Sequence, residues 1–326
     1  MASIREVAKR AGVAACTVSR VLNGTVTVAP ETRQKIEQAM KELDYIPNEL
    51  ARGMFRRKAG IIAMLVPSIK HPFFASLADC IERKLYERGY KLMLCSTSDD
   101  VEREREYLRF LKSNIVDGVV MAVSNLDKQE YEAFQKPMIM LDYDVSEEIP
   151  VVVSDHRMGG RLAAKEFIKN HCRYVIHLCN EEMASRVISY EAHLELEAVL
   201  QAQGIYSRKV EIKWNSFDFD GYFELARLIL ENYPEIDGVM AADLPAIAFL
   251  NAARDLGKKI PGEFSVVAYD GTYVVNMNQQ NLTTIVQPIE EISNRVVEVM
   301  MKLVDKEEIG ERDVRVPVRI KQGKTT

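Results

Sequence analysis

The chain has 326 residues, 47% of them hydrophobic and 28% charged, with a net charge of −5. That length exceeds one small domain, and the composition excludes a disordered or fibrous protein. No apolar run matches a membrane span, and Arg5, Lys9 and Arg10 interrupt the N-terminus, so neither a signal peptide nor a membrane helix is expected and the cytoplasm is the expected location.

The five cysteines are scattered and odd in number, without a CxxC pair, which predicts free thiols in a reducing compartment. Charge is unevenly spread. Residues 1–58 carry 11 Lys or Arg against 6 Asp or Glu, a net of +5, whereas the remainder carries 32 against 42, a net of −10. A basic head on an acidic body places positive charge where one module can meet phosphates.

Three short helices are predicted first. Ile4, Val7, Ala8 and Ala11 recur at i, i+3, i+4 and i+7, the apolar stripe of a first helix, and Gly12 permits a tight turn. Val18, Val21 and Leu22 mark a second helix ending near Asn23-Gly24. Pro30-Glu31 opens a third, with Ile36, Ala39, Met40 and Leu43 on its inner face, and Tyr45-Ile46-Pro47 stops it. Two helices joined by a short glycine-containing turn and closed by a third describe a helix-turn-helix, and equally any small three-helix bundle. Asn48 can cap a short segment reaching Arg57, which at two turns needs a partner to stay helical.

From Gly60 the rhythm becomes strand, helix, strand. Strands are predicted at 61–66, 91–95, 118–121, 138–141, 174–179, 238–241 and 265–269. Helices are predicted at 75–88, 102–112, 160–170, 219–232 and 246–256. The alternation implies parallel sheets covered by helices, and strands on both sides of residue 155 imply two lobes. Doubly wound lobes also serve enzymes, but GxGxxG, GxxxxGK[ST] and HExxH are all missing, and no catalytic residue is assigned. His171, Cys172, His177 and Cys179 are the one His/Cys cluster. Two sit in a turn and two on one strand face, which suits ordinary packing better than zinc, so no metal and no cofactor is expected.

The order of motifs adds a resemblance. Ile4-Arg5-Glu6-Val7-Ala8-Lys9-Arg10-Ala11-Gly12-Val13, then Thr17-Val18-Ser19-Arg20-Val21-Leu22-Asn23, Glu31-Thr32-Arg33, Leu43-Asp44-Tyr45-Ile46-Pro47-Asn48 and Ala51-Arg52 resemble the head of the LacI/GalR family of repressors. Pro72-Phe73-Phe74, Gly89-Tyr90, Val116-Asp117-Gly118, Ser154-Asp155 with Gly159-Gly160, Ser265 to Asp270, Leu282-Thr283-Thr284 and Gln287-Pro288 extend it over nearly the whole chain. Asn125-Leu126 and the stretch 137–160 look most like the sucrose-operon repressor subgroup.

The resemblance implies an α/β body of two Rossmann-like lobes, of the type I periplasmic-binding-protein kind, behind an all-α helix-turn-helix head with a hinge helix. The expected divisions are a DNA-binding domain at 1–58, with the hinge helix at 48–57, and a body at 59–326. Within the body one lobe takes about 60–154 and 288–314, and the other 157–285 and 316–326, with crossings near 154–157, 285–288 and 314–316. It further implies a homodimer on a palindromic operator in double-stranded DNA, repressing a carbohydrate operon, with a small carbohydrate or sugar phosphate as effector and no membrane partner. No heptad helix follows Arg319-Ile320, so no tetramer is expected. Two other readings are a sugar-binding protein without a DNA role, which would lack residues 1–58, and a regulator answering to a protein co-repressor.

By the family pattern Ala15, Cys16 and Arg20 occupy base-reading places beside Thr17, and Arg20 can offer guanine a bidentate pair. Ser3, Ser19, Asn23, Thr32 and Asn48 carry donors for phosphates. In the hinge, Ala51 and Arg52 match the family, and Met54 stands where the family commonly inserts leucine as a minor-groove wedge. Ligands of two-lobed α/β proteins sit at the strand C-termini. There Asp142 and Asp270 are placed for hydroxyls and Phe73 and Phe74 for an apolar face, with Asp243 and Gln287 behind them. Departures from the family are Ala14 and Ala29 where helix caps are common, a stretch from Ser189 to Glu195 without the sugar-gripping Arg and its Gly, and Ala242 and Ala248 where Asn and Gly are common. The last three predict an altered cleft, for which Arg186, Tyr190 and His193 are substitutes without an assigned place.

Overall fold

A computed structural model of the chain describes residues 2–22, 28–45, 58–113, 115–213, 217–277 and 281–326. Among them the chain forms two compact units, Met1–Ile61 with Phe110–Asp117 and Ile62–Arg109 with Gly118–Thr326.

In the first unit, α1 (Ile4–Ala11), α2 (Ala15–Leu22) and α3 (Pro30–Glu42) enclose a core of Val7, Ala8, Ala11, Val18, Val21, Ile36 and Ala39. Sequence fixes the ends of α1. The Glu6 amide donates to the Ser3 hydroxyl at 3.3 Å while the Ser3 amide donates to the Glu6 carboxylate at 2.6 Å, a reciprocal cap. Gly12, at φ +69°, ends the helix in a conformation a side chain would strain. Arg10 and Glu42, 2.6 Å apart, tie α1 to the end of α3. At Ala29 no side chain caps α3, which opens on Pro30 instead.

The body continues in chain order with β1 (Ile61–Val66), α4 (Pro72–Tyr86), β2 (Lys91–Ser96), α5 (Val101–Lys112), β3 (Gly118–Met121), α6 (Lys128–Glu132), β4 (Met138–Leu141), β5 (Val151–Ser154), α7 (His156–Lys169) and β6 (Tyr174–Cys179). There follow α8 (Glu191–Ala202), β7 (Tyr206–Glu211), α9 (Phe219–Asn232), β8 (Gly238–Ala242), α10 (Asp243–Asp255), β9 (Ser265–Asp270), β10 (Thr283–Val286), α11 (Ile289–Asp305), β11 (Asp313–Val316) and β12 (Arg319–Lys321). Two six-stranded sheets result, ordered β11-β5-β4-β3-β1-β2 and β12-β10-β9-β8-β6-β7. In the second sheet β12 alone runs antiparallel, against β10.

Central strands such as Ile62–Val66 and Gly118–Met121 are buried along their length, as parallel strands with helices on both faces must be. In the first lobe Met64, Val120, Ile139 and Val152 pack against Leu77, Ile81 and Leu85 of α4 and Val296, Val297 and Met300 of α11. The second lobe has a core on each face of its sheet, one around Phe249 and Phe264 and one around Phe167, Leu196 and Leu200.

Three differences from the sequence expectation have physical causes. Helix α7 begins at His156 rather than Gly160, so Gly159 and Gly160 lie inside a helix. A Cβ at Gly159 would strike the Tyr269 hydroxyl, and one at Gly160 the Ala192 carbonyl. These glycines therefore serve close packing, not a break. The third crossing lies between Val316 and Arg319, because Val314–Val316 still ladder with Val152–Ser154 in the first sheet; Val316 belongs to that lobe. Strand β7 was not expected, since its edge sequence Tyr-Ser-Arg-Lys-Val-Glu has no apolar run.

Candidate DNA-binding head and inter-lobe cleft

On α2, Val18 and Val21 point inward, and Cys16 and Arg20, one turn apart, share the exposed face. Ala15 is half-buried and packs against the head core, and Thr17 and Ser19 are half-buried beside it. Thr32 is half-buried in the first turn of α3. The Ser3 hydroxyl is engaged in the α1 cap, at 2.8 Å from the Glu6 carboxylate. Asn23, Asn48, Ala51, Arg52, Met54 and the hinge segment lie outside the described residues.

Between the lobes of the body is a cleft of about 200 Å³. It lies at the C-terminal ends of β4, β5, β6, β8 and β9, and all six expected residues line it: Phe73, Phe74, Asp142, Asp243, Asp270 and Gln287. One wall is aromatic. Phe73 and Phe74 meet edge to face at 5.4 Å, and His71 lies 5.0 Å from Phe74 and 5.6 Å from Phe217 of the other lobe. The Phe73 amide donates to His71 Nδ1 at 3.3 Å, capping α4, and burial pushes the imidazole down to about 4.

The acids are already engaged with protein donors. Asp142 accepts from the Ser189 amide at 2.7 Å and the Ser189 hydroxyl at 2.5 Å. Asp243 accepts from the amides of Gly271 and Thr272, at 3.1 and 2.7 Å, and from the Thr272 hydroxyl at 2.6 Å. It thereby fixes the loop after β9. Gln287 donates to Asp270 at 2.7 Å and accepts from the Ser154 hydroxyl at 2.8 Å, a chain that joins the two lobes at a crossing. Burial raises Asp142 to about 7 and Asp243 to about 6. Asp270 is raised well above the carboxylate range, by burial and then by the nearby Asp243.

Several cleft residues carried no clear sequence signal. His156 Nδ1 sits 2.8 Å from the Tyr269 hydroxyl, and its Nε2 lies 3.5 Å from Asp142. Burial holds this imidazole down to about 4. Tyr190 and His193 also line the cleft, whereas Arg186 donates to the Ser124 carbonyl at 2.9 Å. Asn125 binds the buried Glu104 through both its amide and its side chain, at 3.1 Å each, and Tyr131 donates to the same carboxylate at 2.5 Å. The pair Asn125-Leu126 thus owes its identity to loop anchoring after β3. Of the His/Cys run, His177, Cys172 and Cys179 are buried, and among the described residues no group of three or more His, Cys, Asp or Glu could hold a metal ion. No described helix is long and apolar enough to cross a membrane.

A three-helix head with Arg20 exposed on α2, followed by a two-lobed α/β body with an aromatic-walled cleft, is the architecture of bacterial ligand-responsive DNA-binding regulators. Residues 3–48 match the model for bacterial regulatory proteins of the lacI family, and residues 164–326 match that for a periplasmic binding protein-like domain. The ribose operon repressor of Halalkalibacterium halodurans is 35% identical over 328 residues, covering 100% of this chain and 97% of its own length. The sucrose operon repressor of Streptococcus mutans is 32% identical over 334 residues, covering 100% and 99%. Among solved structures, a periplasmic binding protein/LacI transcriptional regulator from Alkaliphilus metalliredigens complexed with D-xylulofuranose is 26% identical, with a TM-score of 0.74 over 82% of this chain and 99% of that one. The lac repressor dimer bound to operator shares the fold at a TM-score of 0.85, 24% identity and 99% and 98% coverage. The chain belongs to the lacI family of bacterial transcription regulators.

Proposed function

We propose that the protein represses a carbohydrate-utilisation operon, binding a palindromic operator as a cytoplasmic homodimer and releasing or tightening on DNA when a small sugar or sugar phosphate enters the inter-lobe cleft. It acts by binding alone, without catalysis. The DNA-reading part is 1–58, with 48–57 as hinge, and the sensing body is 59–326. Cys16 and Arg20 face the bases, supported by Ser3, Ala15, Thr17, Ser19, Asn23 and Thr32. In the hinge, which carries Ala51, Met54 is the minor-groove wedge, while Asn48 and Arg52 hold phosphates.

One observation carries the sensing half: a cleft of about 200 Å³ lined by an aromatic wall at Phe73 and Phe74 and by polar groups at Asp142, Asp270 and Gln287. That pairing of an apolar face with oriented hydrogen-bonding groups suits a sugar ring, and the volume suits a small one. Relatives carrying ribose- and sucrose-operon names support the ligand class.

The test is thermal unfolding of the full chain with D-ribose, sucrose and D-ribose 5-phosphate. A bound effector at 100 times its Kd should add about 2.7 kcal/mol of stability. Operator footprinting with and without the stabilising compound then shows the direction of control. No stabilisation by any sugar, with operator binding intact, would remove the effector half of the proposal and leave the DNA half.

A further inference from the structure

Behind the part of the cleft wall formed by His193 runs a polar chain that the effector reading does not use. His193 Nδ1 lies 3.0 Å from Nδ1 of His177, and His177 Nε2 lies 3.3 Å from Glu197 Oε1. The other oxygen of Glu197 lies 3.3 Å from the Lys209 ammonium. His177, on β6, is fully buried, and both its ring nitrogens are committed to side chains one turn apart on α8. The two imidazoles stack with centroids 5.1 Å apart, and Tyr190 packs on His193 at 5.4 Å.

The acceptor at the far end of the chain sets the proton positions proposed for it. The hydrogen bond from His177 and the charge on Lys209 hold the Glu197 carboxyl below its usual range, so it only accepts. His177 Nε2 must therefore carry a hydrogen. Placing one proton on each ring leaves a lone pair on His177 Nδ1, and the 3.0 Å contact then puts a hydrogen on His193 Nδ1. Burial keeps His193 from taking a second proton. The cleft is then offered a lone pair at His193 Nε2.

We infer that His193 is a specificity-determining acceptor for a hydroxyl of a neutral ligand, with its polarity set from behind by Glu197 through His177. This rests on reading the cleft as the effector site. A hydroxyl satisfies the lone pair, whereas a phosphate or carboxylate oxygen at the same place would face it without a proton between them.

Glu197→Gln tests the relay. Lys209 has only donors and takes the carbonyl of the new amide, which turns the NH₂ toward His177. His177 Nε2 must then accept, and both histidines invert, leaving His193 with Nε2–H toward the cleft. Two-bond ¹H–¹⁵N correlation spectra of ¹⁵N-histidine-labelled full-length protein read these tautomers directly, and the chain has only five histidines to assign. The expected wild-type result is Nδ1–H on His193 and Nε2–H on His177, with both reversed in Glu197→Gln. An Nε2–H tautomer of His193 in the wild type overturns the inference, and that spectrum stands whether or not the variant folds. Calorimetric titration with D-ribose, sucrose and D-ribose 5-phosphate adds the ligand half. The wild type should prefer a neutral sugar to D-ribose 5-phosphate, and the preference should narrow by about tenfold in Glu197→Gln, where Nε2–H can donate to an anion while a hydroxyl turns to accept. An unchanged preference overturns the acceptor assignment. Expected tautomers with no sugar bound by the wild type overturn the effector reading instead of the relay.

Discussion

Ser189 of one lobe donates both its amide and its hydroxyl to the carboxylate of Asp142 in the other, at 2.7 and 2.5 Å. The contact is the centre of a clasp. The Ile188 amide donates to the Asp142 carbonyl at 2.9 Å, Tyr143 bridges Val187, and Arg315 pairs with Glu191 at 2.6 Å. On the proposed reading of the cleft, the acid that grips the ligand also grips the opposite lobe, so ligand binding and lobe closure share one group. A ligand shifts such an equilibrium only by its difference in affinity for the two states.

Asp142→Ala should therefore weaken effector binding by about tenfold or more, because hydrogen bonds to a charged group contribute roughly 1.5–3 kcal/mol. Operator affinity without effector should stay nearly unchanged. Calorimetry and operator fluorescence anisotropy on the same preparation measure both. A folded dimer that has lost operator binding would place Asp142 in the DNA-bound state rather than in sensing.

The same residue gives a pH signature. Burial raises Asp142 to about 7 in the folded protein, against an ordinary value near 3.8. Between those values the folded chain holds a proton that the unfolded chain releases, so this group favours folding at low pH and its contribution is lost as pH rises toward 7. Asp142→Asn removes the dependence. The Tm of the variant relative to wild type should rise between pH 5 and pH 8 and level off above. A constant difference over that range would show that Asp142 stays ionised throughout.

The cleft residues legible in the sequence were those at strand ends. Asp142 and Asp270 each follow an apolar run, and Phe73 and Phe74 follow a proline that opens a helix, so local pattern sufficed. His156 and Tyr269 meet across 113 positions and His177 and Glu197 across 20, distances at which periodicity carries no information. Strands β11 and β12 were hard to see for a related reason. At four and three residues, with alternating exposure, they draw their identity from the strands they pair with. At Gly159 and Gly160 the requirement for a missing Cβ comes from a neighbouring element, which local pattern does not show.

Gly159→Ala tests that close approach. The added methyl would collide with the Tyr269 hydroxyl, the group that holds His156. Overpacking of this kind typically costs about 1–3 kcal/mol, and here it must also disturb the Tyr269–His156–Asp142 row. Urea denaturation should show a lower midpoint with an unchanged slope, and sugar affinity should fall with it. Wild-type stability would mean that α7 and β9 can separate without loss.

The head offers a test that needs no knowledge of the effector. Cys16 is exposed, while Cys80, Cys95, Cys172 and Cys179 are buried, so a thiol reagent should modify the native protein at one position. Cys16 shares the outer face of α2 with Arg20, the face a helix-turn-helix presents to the major groove. Operator DNA should therefore protect Cys16 from alkylation, and prior alkylation with a bulky maleimide should block operator binding. Arg20→Ala should weaken specific binding by about 1–3 kcal/mol and relax preference at one base pair, as loss of a bidentate base contact does. Non-specific affinity and its salt dependence, which come from phosphates, should change far less. Equal weakening on operator and random DNA would make Arg20 a phosphate contact. Alkylation of Cys16 at the same rate with and without operator would mean that α2 does not enter the groove.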